Sequence, residues 1–263
     1  MDCFPPRIRR QIAQHGHDGL AATIELLHTR LLKYRQPTIY VNHVDTEEQV
    51  TIGHVFVLWQ AHLHRAERLM VTCGSAIENN DAYGLAALIR AFVESAAITV
   101  SVRARLDDWA EKRIDYEAFD RVLMSSLLGS RSEHVPNAPP AVNILTHLKN
   151  ADRFIASRLQ IPEASPLSTS YGVLSEYAHP NMPSNVVAFS LQEVGVYQFQ
   201  HNAKITPKQI DFLSMLATGA AVFEQVSASY HDLLTKGAAP DAGDVVSLVP
   251  NSRSRRDAEG EKP

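Results

Sequence analysis

The chain has 263 residues, 45% of them hydrophobic and 21% charged, which suits a soluble globular protein of one large domain or two small ones. A formal net charge of −4 and a pI near 6.3 exclude a generally basic surface, and with it strong nonspecific binding to nucleic acid, but leave room for a local basic pocket. Two cysteines, Cys3 and Cys73, make neither a disulfide framework nor a zinc site and fit a reducing, cytoplasmic setting.

In chain order, Met1-Asp2-Cys3-Phe4-Pro5-Pro6-Arg7 lacks the basic-then-apolar layout of a signal peptide, and Pro5-Pro6 open a first helical region. It breaks near Gly16-His17-Asp18-Gly19 and resumes to about Arg35, with Leu20, Ile24, Leu27, Leu31 and Tyr34 as the buried stripe. Residues 38–44 are β-branched but short. Thr46 and Gln49 read as a capping box for a long helix to about Glu78, with Ile52, Phe56, Trp59, Leu63, Ala66 and Met70 inward. After the Asn79-Asn80-Asp81 turn, a central helix is predicted from about Ala82 to Leu106. Its stretch from Leu85 to Val102 is apolar on nearly every side, as in the middle of a bundle. Arg90 and Glu94 near its centre argue against a membrane span. A charged pair of short helices is expected over 108–128, then a proline-rich loop from Gly129 to Pro140. Amphipathic helices follow at about Pro140 to Leu159 and 167–178.

Over 185–200, V-V-A-F-S-L and V-G-V-Y-Q-F flank Gln192-Glu193 and suggest a β-hairpin. Thr206-Pro207 cap a last long helix to about Thr235, carrying Leu213, Leu216, Ala217, Ala220, Phe223 and Tyr230. The expected fold class is therefore all-α, a multi-helix bundle with a small β-hairpin before the last long helix. The expected organisation is an N-terminal helical region (1–44), a bundle domain (45–236) and a disordered tail (237–263).

Chemistry points to two polar clusters on apolar helices. Arg90 and Glu94, four apart, share a helical face; a guanidinium oriented by its carboxylate presents a planar fork that suits phosphate or carboxylate. Tyr171, Ser175 and His179, at steps of four, stack along another helix. Pro180 disfavours helix at His179, and Asn181 suits a left-handed cap just beyond. A histidine at that helix end faces the negative end of the dipole, which favours imidazolium and tunes it as a proton donor near neutral pH. Candidate catalytic residues are thus Arg90, Glu94, Ser175 and His179, with Tyr171 and Asn181 as candidate ligand-binding residues.

Other signals are bland. His15/His17 and His62/His64 are spaced by two, which places them on different faces. His54 and His62 gain no third ligand at metal spacing, so no metal and no cofactor are expected. There is no phosphate-binding glycine loop, no Gly-x-Ser-x-Gly elbow and no DNA-binding motif. Arg103, Arg105, Lys112 and Arg113 interleave with Asp107, Asp108 and Glu111, the pattern of a solvated charged face.

Arg90 to Glu94 (R-A-F-V-E), followed by Tyr171 to Asn181 (Y-G-V-L-S-E-Y-A-H-P-N), resembles an uncharacterised bacterial helical-bundle family with Arg-x3-Glu and Ser-x3-His-Pro motifs. The resemblance spans roughly 45–235, and that family is in turn distantly similar to the HEPN superfamily of four-helix bundles. What the resemblance implies is a metal-independent ribonuclease or nucleotide-processing enzyme of a bacterial toxin or antiphage system. Its partner would be RNA or a nucleotide, and it would form a homodimer. No membrane contact is expected either, from the charges inside the apolar helix rather than from the resemblance. HEPN enzymes carry Arg and His on one helix; here no arginine lies four to six residues before His179, so Arg90 has to supply the cation from another helix. The alternative is a non-catalytic helical module that binds an anionic ligand or protein partner, with the polar cluster structural.

Overall fold

A computed structural model describes residues 3–39, 41, 46–132, 134–161, 163–179, 182–183, 189–199 and 206–236. The expected tail at 237–263 lies outside the described residues, as does most of 38–44. The fold is an all-α bundle: α1 (Pro6–Gln14), α2 (Asp18–Lys33), α3 (Glu47–Glu78), α4 (Ala82–Ala110), α5 (Tyr116–Leu127), α6 (Ile144–Leu159), α7 (Pro166–Ala178) and α8 (Pro207–Lys236). Between α7 and α8, β1 (Phe189–Glu193) and β2 (Val196–Phe199) pair antiparallel with Phe189 opposite Phe199. The turn is at Val194-Gly195, two residues after the position the sequence suggested, and Gly195 supplies its positive φ of 83°.

The helix starts follow capping chemistry. Thr46 and Gln49 form the reciprocal capping box that opens α3. Thr206 and Gln209 repeat it at α8. Asp81, Asp115 and Asn143 each accept a backbone N–H of the first turn of α4, α5 and α6. The last of these moves the start of α6 from the expected Pro140 to Ile144. The pair of short helices expected over 108–128 is one helix only. The α4 hydrogen-bond ladder runs on to Ala110, the chain reverses through Lys112 at φ 58°, and α5 alone follows.

α4 is the axis of the bundle, packed by α3, α5, α6, α7 and α8. It is long and apolar enough to cross a membrane by composition, but 67% of its apolar window is buried inside the bundle, as in a core helix. Trp59 Nε1 donates to Ser227 Oγ at 3.1 Å and its ring stacks on Tyr230. The Tyr230 hydroxyl donates to the Thr99 carbonyl at 3.1 Å, so α3, α4 and α8 are tied by polar atoms that would otherwise be orphaned in the core. One continuous core runs from Phe4 to Tyr230, and α1 and α2 share it. The N-terminus reaches that core only because residue 74 is glycine: a Cβ there would fall 2.1 Å from the Cys3 carbonyl oxygen.

Candidate functional site

The sequence placed Arg90 and Glu94 on a helix apolar all round; the structure corrects this. Ala87, Arg90, Ala91, Glu94 and Ile98 form one stripe of α4 that the neighbouring helices leave partly open. The Arg90 and Glu94 side chains keep 22% and 26% of their exposure, so this is a half-buried pair at the edge of the core.

α7 lies along that stripe, and its start is fixed from a distance. Its N-cap residue, Ser165, makes no side-chain cap bond. The carboxylate of Asp152, on α6 and only 5% exposed, serves instead: Oδ1 accepts from Leu167 N–H at 3.0 Å and Oδ2 from Ser168 N–H at 2.9 Å. Two donors of the first turn are satisfied by one buried anion at the positive end of the helix dipole. Asp152→Ala is expected to destabilise the fold by about 2–3 kcal/mol, read as a lower urea midpoint at unchanged slope, with a smaller loss for Asp152→Asn, which keeps one acceptor. Asp152 is the contributor the sequence reading missed. Its signal was an acid within the inward stripe Leu148, Ala151, Asp152 and Ile155.

At the other end, α7 stops at Ala178 and His179 turns extended, with φ −109° and ψ 156°, as a residue before proline should. Its N–H still bonds the Ser175 carbonyl at 3.2 Å, and its exposed imidazole meets Arg90. Arg90 Nη1 lies 3.0 Å from His179 Nε2, and Arg90 Nη2 donates to the Tyr171 hydroxyl at 2.8 Å. The guanidinium carbon sits 4.8 Å from the Tyr171 ring centroid. Glu94 Oε1 is 3.3 Å from Arg90 Nε, within ion-pair range, but Nε has no hydrogen-bond partner among the described residues, so the N–H does not point along that line.

A guanidinium has no acceptor, so His179 Nε2 is the acceptor and the ring proton sits on Nδ1. All four groups in contact are sequence candidates: Arg90, Glu94 and His179 of the candidate catalytic set meet, with the candidate ligand-binding Tyr171 beneath them. Ser175 does not join them by its side chain, because its hydroxyl is turned back onto the Tyr171 carbonyl at 2.7 Å. Asn181 and Pro180 lie outside the described residues. The interleaved charges at the end of α4 pair among themselves and with Arg158: Arg103 and Arg158 with Asp107, Arg105 with Asp108, Arg113 with Asp108 and Glu111.

No family model, no curated protein and no solved structure matches this chain. The site therefore has to be read from its own chemistry. Among the described residues no three His, Cys, Asp or Glu side chains cluster as metal ligands. What the cluster offers is one cation with two neutral acceptors on its fork, a phenol whose proton is free to donate, and an exposed imidazole. Phenol and imidazole exchange for an oxyanion more readily than carboxylates do, since the anion replaces neutral partners and gains the charge–charge term.

Proposed function

We propose that Arg90 and His179 form the centre of a metal-independent ribonuclease or nucleotide-processing site of HEPN-like chemistry, with RNA as the substrate class. The observation that carries this reading is the 3.0 Å contact between the guanidinium and the imidazole, made by two helices 89 positions apart in sequence. An incoming phosphodiester draws Nη1 of Arg90 onto a phosphoryl oxygen and uncovers the Nε2 lone pair of His179. Nε2 then takes the proton of the ribose 2′-hydroxyl, and the 2′-oxygen attacks phosphorus. The bond from phosphorus to the 5′-oxygen breaks and that oxygen takes a proton from water, while the hydroxide so formed takes the proton held on His179 Nε2, leaving a 2′,3′-cyclic phosphate, a 5′-hydroxyl and the neutral imidazole. Arg90 offsets the charge that grows on the phosphoryl oxygens, Glu94 stabilises the guanidinium's charge from 3.3 Å without a directed hydrogen bond, and the Tyr171 hydroxyl donates to the phosphoryl group.

The test is cleavage of structured and unstructured RNA by the purified chain with a chelator present. Cleavage that leaves cyclic-phosphate ends and is lost in His179→Ala supports the reading. Absence of cleavage in the native chain, or its persistence in that variant, removes it. One observation favours the non-catalytic alternative: the Ser175 hydroxyl is bonded inside its own helix, as in a helix built for packing.

A further inference from the structure

The C-terminal parts of α6 and α8 both lie over α4, and a cavity of about 370 Å³ opens between them. Its walls are mostly apolar, from Phe154, Ile155 and Leu159 on α6 to Val222, Val226 and Leu233 on α8, with Gln225 and the carboxylate of Asp232 also on the α8 side. Arg103 of α4, with a side chain only 11% exposed, lines it too, its Nε donating to Ser229 Oγ at 3.3 Å. A second cavity, of about 410 Å³, adjoins the first and shares Phe154 and Arg158 with it. The second is polar, with Arg105, Arg113, Arg153 and Arg158 facing Asp107, Asp108 and Glu111. Cations outnumber carboxylates there. At the seam the imbalance is sharper, because Arg103 and Arg158 share the single carboxylate of Asp107. Arg158 lies over the Phe154 ring, 5.1 Å from its centroid, so the boundary between the apolar and the basic space is a guanidinium stacked on an aromatic.

We propose that these joined cavities bind a small soluble anionic amphiphile. Its alkyl or aryl body fills the space between α6 and α8, and its carboxylate or phosphate head sits at the seam on Arg158 and Arg153. The apolar cavity has the volume of an ordinary ligand pocket, about 300–1,000 Å³, and its surface is mostly apolar, with Arg103 and Arg158 toward the seam. Leu159, 50% exposed at its edge, leaves apolar surface that only an occupant would cover. The fork of Arg158 suits either oxyanion, and it disfavours a cationic head. Arg103 and Arg90 are thirteen residues apart on α4, about 20 Å along the axis, so this site does not rest on the reading of the Arg90–His179 centre.

The test is calorimetric titration of the full chain, below micelle-forming concentrations, with decanoate, decyl phosphate, 1-decanol and decyltrimethylammonium. Saturable one-to-one binding of the two anions is expected. Arg153→Ala and Arg158→Ala, both at exposed positions, should each weaken it about tenfold, and the alcohol and the cation should bind at least as poorly. Val222→Trp, which fills the apolar cavity, should abolish it while the far-ultraviolet circular dichroism stays native. The proposal is overturned if neither anion saturates, if decanol binds as well as decanoate, or if the double arginine variant binds normally. Sedimentation with phosphatidylglycerol vesicles in the absence of decanoate binding overturns it as well, since that result assigns the arginines to a membrane surface.

Discussion

Replacing His179 by alanine is expected to lower RNA cleavage by about 10²- to 10⁴-fold, the range for losing a positioned general base, and to leave the fold intact. The imidazole is exposed and, among the described residues, its polar contact in the site is to Arg90, so no described core packing depends on it. Arg90→Ala is expected to lower the rate by about 10²- to 10³-fold, because the cation opposite the developing phosphoryl charge is gone. Arg90→Lys should recover little of this, since an ammonium keeps the charge but cannot hold Tyr171 and a phosphate on one planar fork. Stability separates the catalytic reading from the structural one. A fully buried ion pair would lose about 3–5 kcal/mol when one partner is removed. Here Glu94 keeps 26% of its exposure, so solvent screens the stranded carboxylate and Arg90→Ala should lose only about 1–2 kcal/mol, including the contacts that tie α7 to α4. A loss of the larger size, with no activity to lose, is the signature of the non-catalytic module.

Acid should unfold this protein well before its carboxylates are exhausted. His62 on α3 and His147 on α6 are both pushed down to about 4. Burial is the main cause for each, and Arg65 and then His147 add repulsion at His62. Among the described residues, the Nδ1 atoms of both rings are buried without a hydrogen-bond partner. Burial also lowers His28, against the opposing charge of Glu67. In the unfolded chain these rings titrate near 6.5, so the unfolded state binds protons that the folded state refuses. The sign follows: their contribution is fully present above pH 6.5 and is lost as pH falls from there toward 4. Between pH 7.5 and pH 5 the linkage removes about 2 kcal/mol for each of His62 and His147. Urea midpoints at the two pH values measure it. In His147→Leu, which keeps the volume and removes the proton site, the difference between the two midpoints should shrink by about half. An unchanged difference would show that other groups carry the acid sensitivity.

Much of the architecture was legible because helix periodicity and capping are local. The stripes Ile24-Leu27-Leu31 and Phe56-Trp59-Leu63-Ala66-Met70 are buried as their spacing implies, and Thr46 with Gln49 makes the box its sequence spells. The meeting of Arg90 with His179 was also foreseeable, since two polar clusters on apolar helices have to be satisfied somewhere. Its depth was not. Ala87 and Ala91 count as apolar in a composition, but they are small residues on the open stripe beside Arg90. The cap of α7 was hidden because Asp152 acts on residues fifteen and sixteen positions away, while capping rules look only three ahead. Ser175 misled for the opposite reason. Its spacing put it on the face of Tyr171 and His179, but a serine inside a helix finds the carbonyl one turn back before it finds a neighbour. The turn at Lys112 and the single helix that follows were missed because Arg103 pairs with Asp107 and Arg105 with Asp108 within α4 and so extend it, while Arg113 folds back beyond the turn onto Asp108.

The account stands on α7 delivering the imidazole of His179 to the guanidinium of Arg90. Nitrogen-15 correlation spectroscopy of the histidine side chains at pH 7.5 observes that contact directly. His179 should show an unprotonated Nε2 and a protonated Nδ1, and the Nε2 resonance should move in Arg90→Ala and in Asp152→Ala, where the start of α7 is released. A His179 ring protonated on Nε2, or a resonance indifferent to the loss of Arg90, would contradict the site.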